Sequence, residues 1–282
     1  MKSIKKLVSV ACVLVLACDL AAAQKLTADE LIAKHLESVG TADARAAFKS
    51  LVAQGSVLAT IRIGGSGQSK GGAVLASQGN MSLLGIVFGP QEYSNEKIAF
   101  DGKNLRVGEW KPGVRTKLGG FLMTHDVMFR EGLIGSVLSP AWPLLDMSKL
   151  KSKLKYAGTK KLDGHQVHVL NYDAASGGNL EIKLYFDAEN FHHVRTEYEQ
   201  HISAPAVTRP EDAARQQDTH LKFTEDFSDF RKEGNLTLPH TYKIQLTFDT
   251  PQNALLQDWV MTLTQFLFNK ELDRSQFTIS GN

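Results

Sequence analysis

Nine histidines are the residues best suited to chemistry in this chain, as metal ligands or as acid–base groups near neutral pH. His165 and His168 stand three apart in a β-like stretch, a spacing that sends them to opposite faces of a strand. His192 and His193 are adjacent and diverge in the same way. His35 falls on the apolar side of a predicted helix, the setting of a hydrogen-bonded core histidine. No HExxH and no Cys/His cluster is present, so no metal site is read here. The run GGSGQSK at residues 64–70 lacks a glycine directly before Lys70 and leads into a strand, so it reads as a hairpin turn and not as a phosphate loop. Gly135-Ser136 is not a Gly-x-Ser-x-Gly elbow. Glu225 and Asp229 share one face of a predicted strand, where they read as solvated carboxylates. No catalytic residue and no cofactor is expected.

What stands out instead is apolar. Between residues 119 and 142, Phe121, Met123, Val127, Met128, Phe129, Leu133 and Ile134 form a broad surface with few charges. Methionine adapts to varied apolar shapes, which suits a ligand-facing role as well as a core. A helix is expected over 125–138, capped by Thr124 or Asp126, weakened by Gly132 and Gly135, and stopped by Pro140. A further helical turn is expected over 144–150.

The elements that position this surface are mostly strands. Leu180, Ile182, Leu184 and Phe186 alternate with Glu181, Lys183 and Tyr185, the pattern of a strand with one buried face. Asp187-Ala188-Glu189-Asn190 is the turn, and Val194, Thr196 and Tyr198 mark the returning strand. A loop that includes Phe191 sets Leu184 against Val194 and Leu180 against Tyr198, keeping apolar residues on one face. Tyr242, Ile244 and Leu246 alternate equally cleanly with Lys243 and Gln245. Other strands are expected at 51–63, 68–78, 81–88, 92–100, 105–107, 154–161, 166–172, 220–230, 238–248 and 259–268, with Asp101-Gly102 and Asp163-Gly164 as hairpin turns. Thr27-Ala28-Asp29-Glu30 is a capping box opening a helix over 28–39, ended at Gly40, with a short turn over 43–49. Pro205, Pro210 and many polar residues make 202–219 an exposed loop.

These elements predict a single α+β domain over 24–282. It is one large curved antiparallel sheet, an incomplete barrel, covered by the N-terminal helix and by a helical lid insertion. Leu184, Tyr242, Ile244 and Leu246 would then line the floor of an apolar cavity beneath the lid.

Residues 1–23 read as a secretory signal peptide: Lys2, Lys5 and Lys6, an apolar run, then Ala21-Ala22-Ala23 before Gln24. In the alternative reading Val15-Leu16-Ala17-Cys18 is a lipobox and Cys18 carries the lipid anchor. Both cysteines, Cys12 and Cys18, lie in this leader, which leaves no disulfide in the rest. Of the 32 basic and 30 acidic residues, the leader holds Lys2, Lys5, Lys6 and Asp19, so the remainder is balanced and carries no basic footprint for nucleic acid.

The order of elements resembles the LolA/LolB-like periplasmic carriers of outer-membrane lipoprotein sorting. The resemblance spans most of the chain after the leader. It rests on TADELIAKHLESVG, IAFDGKNLRV, LDGHQVHVL, LYFDAENFHHVRTEYE, FSDFRKEGNLTLPHTYKI and the closing FTI. Asp229-Phe230-Arg231, Gly234 and Leu238-Pro239 are its most family-like piece. What it implies is an incomplete barrel that takes lipid or lipoprotein acyl chains, acting in the periplasm as a carrier or sensor and not as an enzyme. An envelope interaction module with a filled core, docking a protein partner through a sheet edge or the 202–219 loop, is the alternative. An enzyme comes third.

Overall fold

The computed structural model describes residues 26–62, 66–89, 94–109, 111–203, 218–249 and 254–279. The leader with Cys18, and most of the 202–219 loop, lie outside them. Helix α1 (Ala28–Val39) and helix α2 (Ala42–Ala47) come first. The capping box at Thr27 forms as the sequence predicts: Glu30 N–H donates to the Thr27 hydroxyl at 3.2 Å, and Thr27 N–H donates to the Glu30 carboxylate at 2.8 Å. Leu31, Ile32, His35 and Val39 are the buried stripe of α1.

Twelve antiparallel strands follow in one sheet. The first five are β1 (Ser50–Arg62), β2 (Ser66–Gln78), β3 (Met81–Phe88), β4 (Glu96–Phe100) and β5 (Leu105–Val107). The other seven are β6 (Lys153–Leu162), β7 (His165–Asp173), β8 (Glu181–Asp187), β9 (His193–Ile202), β10 (Thr219–Glu233), β11 (Leu236–Asp249) and β12 (Ala254–Phe268). Their spatial order is β5-β4-β3-β2-β1-β12-β11-β10-β9-β8-β7-β6. Two meanders are thus zipped together by the β1–β12 pair, and the sheet remains open at β5 and β6. Because β5 and β6 are the two opposite edges, residues 108–152 have to travel from one to the other. The apolar inner face lies beneath that path, and the segment covers it.

The cover is not the single helix expected over 125–138. It consists of α3 (Lys117–Thr124), α4 (Val127–Arg130) and short 3-10 turns at Ser136–Leu138, Pro143–Leu145 and Met147–Lys149. Gly132 and Gly135 explain the breaks. Their φ values of 70° and 79° are left-handed, a conformation that ends helices and that residues with a Cβ rarely adopt. Any Cβ on Gly132 would also sit 2.2 Å from the Ala141 carbonyl oxygen.

The β8–β9 hairpin keeps the expected turn but not the expected register. Asp187 accepts from the N–H groups of Glu189 and Asn190, and Phe191 takes a φ of 60° within the loop. Leu184 faces Thr196 and Ile182 faces Tyr198, two residues along from the predicted pairs. One residue of the shift comes from the turn, which pairs Phe186 with His193, and the other from a bulge between Tyr185 and Phe186. It turns His193 into the core and leaves Val194 packed with Tyr185, Val167 and Val169 on the other face. Among the described residues no helix is long and apolar enough to cross a membrane.

Candidate functional site

Phe121, Val127, Met128, Phe129 and Leu133 share one core with Leu184, Tyr242, Ile244 and Leu246, and Ile134 packs partly buried against it. Phe121 stacks on Phe223 with ring centroids 5.5 Å apart. Met123 departs from this group: it is 36% exposed, on the outer side of α3. Most of the space beneath the cover is therefore filled by side chains. A gap between Leu84, Phe129, Leu138 and Tyr242 measures only about 20 Å³, room for about one water molecule.

The open space lies at the flank of the cover. A cleft of about 710 Å³ runs between Phe48, at the foot of β1, and the second half of the cover. Phe129, Trp142, Pro143, Leu145 and Leu150 line it, together with Tyr172 of β7. Lys49, Arg130, Lys149 and Lys151 stand around it with Glu131 and Asp146. Of the predicted cavity residues, Phe129 alone lines this cleft; the others lie in or against the core, apart from the exposed Met123. Phe48, Trp142, Leu145 and Leu150 went unrecognised in the sequence as cleft residues. Their signal was weak, because they sit in irregular backbone with no period to reveal a shared face.

Three carboxylates pin the cover. At its start, the Thr116 hydroxyl caps α3 by accepting from Gly119 N–H and donates to Glu96 at 2.8 Å. Burial pushes the Glu96 carboxyl up to about 8, against the lowering effect of that hydrogen bond. In the middle, Glu131 accepts from the hydroxyls of Ser152 at 2.6 Å and Tyr172 at 2.9 Å, and from Ser176 N–H at 2.9 Å. Burial raises Glu131, but these hydrogen bonds outweigh it and hold the carboxyl below its ordinary value. Near the end, Glu225 accepts from Gly135 N–H at 2.8 Å and from the hydroxyls of Tyr198 at 2.8 Å and Tyr242 at 2.6 Å.

Glu225 corrects an expectation. The sequence places it on a solvated face with Asp229, yet it is fully buried while Asp229 is exposed. Burial pushes its carboxyl up to about 7 despite three donors. A carboxylate in alternation with Phe223 and Phe227 lies on their face, and that face is the core.

Two histidines strengthen the same seam. His35 is buried as expected: its Nδ1 is 3.1 Å from the Phe191 carbonyl oxygen, and the Trp142 indole donates to its Nε2 at 3.3 Å. Burial lowers it to about 4, so it is neutral. The Ser136 hydroxyl lies 2.6 Å from His193 Nδ1, with Thr196 at 3.2 Å from Nε2. Serine beside histidine is the geometry of an activated nucleophile. Here both side chains are buried, neither lines the cleft, and a hydroxyl stands where an orienting carboxylate would. The pair acts as a latch between cover and sheet.

No family model matches the sequence, and no curated protein matches it. Solved structures do. A LolA superfamily protein from Nitrosomonas europaea superposes with a TM-score of 0.50 at 14% identity, over 90% of this chain and 98% of that one. A DUF1329 family protein from Desulfovibrio piger gives 0.45 at 11% identity, over 89% and 96%. A domain named for outer membrane lipoprotein sorting, from Vibrio parahaemolyticus, gives 0.41 at 11% identity, over 87% and 97%. At such identities the likeness is one of fold. An open twelve-stranded antiparallel sheet, covered by helices along the path from one edge to the other, gives this protein a LolA-like fold.

Proposed function

We propose that this protein is a non-enzymatic carrier or sensor that takes lipid or lipoprotein acyl chains into the space between sheet and cover. The reading places it in the periplasm, exported by its 1–23 leader and serving envelope lipoprotein sorting. The observation that carries it is the cleft of about 710 Å³ walled by Phe48, Phe129, Trp142, Leu145 and Leu150. That volume falls within the ~300–1,000 Å³ of small-molecule sites. Each buried methylene contributes about 0.8 kcal/mol, so about ten suffice for micromolar affinity before ordering costs. Lys49 and Lys151 at the rim suit an anionic headgroup. The cover, residues 119–138 in particular, acts as a lid: deeper entry requires Phe129 and its neighbours to swing out, breaking the ties at Glu225 and His193. Gentle purification, denaturing extraction and mass spectrometry test this. Copurifying acyl lipid is expected. A protein that is empty and does not bind a fluorescent fatty acid would overturn it.

The packed core beneath α3 and α4 favours one second reading, an envelope interaction module that docks a protein partner. Deleting 204–217 separates the two. Lost partner capture with retained lipid binding leaves the carrier core intact, whereas lost partner capture in a protein that never binds lipid favours the module. Anchoring is tested separately: radiolabelled palmitate on the wild type but not on Cys18→Ala would replace the freely diffusing form with a lipidated one.

A further inference from the structure

Where β9 ends and β10 begins, on the face turned away from the cover, three metal-capable side chains converge. They are Glu199, His201 and His220, and one ligand atom from each lies within 4.8 Å of the other two. The topology makes the cluster. Glu199 and His201 are two apart on β9 and share a face, opposite the buried Tyr198, and His220 pairs directly with His201 across the ladder. The two imidazoles stack with centroids 4.3 Å apart and planes 14° from parallel. His220 Nε2 lies 4.0 Å from a Glu199 oxygen, and it is buried with no hydrogen-bond partner among the described residues. A ring nitrogen shielded from water, beside a second imidazole and a carboxylate, lacks only an electron-pair acceptor.

We propose that Glu199, His201 and His220 bind a first-row divalent transition-metal ion such as Zn²⁺, Ni²⁺ or Cu²⁺. Two imidazole nitrogens and one carboxylate suit these ions, and the nitrogens discriminate against Mg²⁺ and Ca²⁺, which take oxygen. Metal–ligand bonds of about 2.0–2.2 Å bring ligand atoms to about 3–3.5 Å of each other, so small side-chain rotations close the present spacing. Three protein ligands leave a coordination position for water, which makes the ion exchangeable. Two lysines hold Glu199 at present: Lys222 at 2.9 Å and Lys183 at 3.9 Å. Each has a nearer carboxylate to keep, Glu197 at 2.6 Å for Lys222 and Glu181 at 2.8 Å for Lys183. Glu199 can therefore turn to a cation without stranding either charge. The sequence hides this site because its histidines come from two different strands, well apart in the chain.

The test uses the mature chain without a histidine tag, titrated with ZnCl₂ by calorimetry at pH 7.5. One Zn²⁺ per chain is expected. His201→Ala and His220→Ala should each weaken binding by about tenfold or more, and the exposed control His165→Ala should leave it unchanged. A second readout does not depend on variant folding: electron paramagnetic resonance of the wild type with one equivalent of Cu²⁺ should show two coordinated nitrogens. No Zn²⁺ binding, binding that survives loss of both histidines, or a copper signal without imidazole nitrogen would each overturn the proposal.

Discussion

The backbone N–H of Gly135 donates to the buried carboxyl of Glu225 across 2.8 Å, and this bond fastens the cover to the middle of the sheet. Gly135 holds a φ of 79°, a left-handed turn that glycine adopts without strain, and it aims this N–H at the buried acid. Opening the cover removes one of the three donors that this buried carboxyl accepts from.

That latch has a pH dependence of defined sign. Burial raises Glu225 to about 7 and Glu96 to about 8, so the folded protein holds these protons more tightly than the unfolded chain. Their stabilising contribution is complete below about pH 4.5 and is lost as pH rises through 7 to 8. The buried His35 and His193 are lowered by burial, and their contribution is lost as pH falls below about 6.5. From pH 6.5 to 8.5 the two acids therefore act without opposition from the histidines. Urea unfolding should show stability declining across that interval, and Glu225→Gln should flatten the decline. A rise in stability over the same interval would contradict the assignment.

Tyr242→Phe should cost about 1–3 kcal/mol, because it leaves the buried Glu225 one donor short without opening a cavity. Denaturant midpoints of the two proteins measure this. Tyr198→Phe, which removes the second hydroxyl donor, should behave alike, and the double variant should depart from additivity.

Gly132→Ala should destabilise more than Gly135→Ala. Both force a left-handed residue to carry a Cβ, at about 1–2 kcal/mol. Only the Gly132 Cβ also meets backbone, 2.2 Å from the Ala141 oxygen, whereas that of Gly135 has Leu138 at 3.9 Å. Thermal midpoints rank the two.

Met128→Asp should cost about 3–5 kcal/mol, since Met128 is fully buried and the new charge has no partner. Met123→Asp should stay within about 0.5 kcal/mol, as befits an exposed position. Equal effects in chemical unfolding would contradict the packing of α3 and α4.

Much of this fold is legible in the sequence. Strand alternation such as Tyr242, Ile244 and Leu246 against Lys243 and Gln245 reports a buried face directly, and Thr27 with Glu30 marks where α1 begins. The cover was harder, because an apolar run from Phe121 to Leu138 satisfies many backbones at once; only the left-handed Gly132 and Gly135 decide among them. The β8–β9 register depended on a bulge that no alternation pattern predicts. Buried acids are hidden for a different reason. Glu225 looks like a surface residue until Tyr198 and Tyr242, on two neighbouring strands, are seen to satisfy it.

The most direct test of acyl-chain binding is photo-crosslinking of the mature protein with a diazirine-bearing fatty acid, mapped by peptide mass spectrometry. The account predicts labelling concentrated at Trp142, Leu145, Leu150 and Phe48, and suppressed by excess palmitate. Absence of labelling, or labelling confined to the sheet face turned away from the cover, would contradict it.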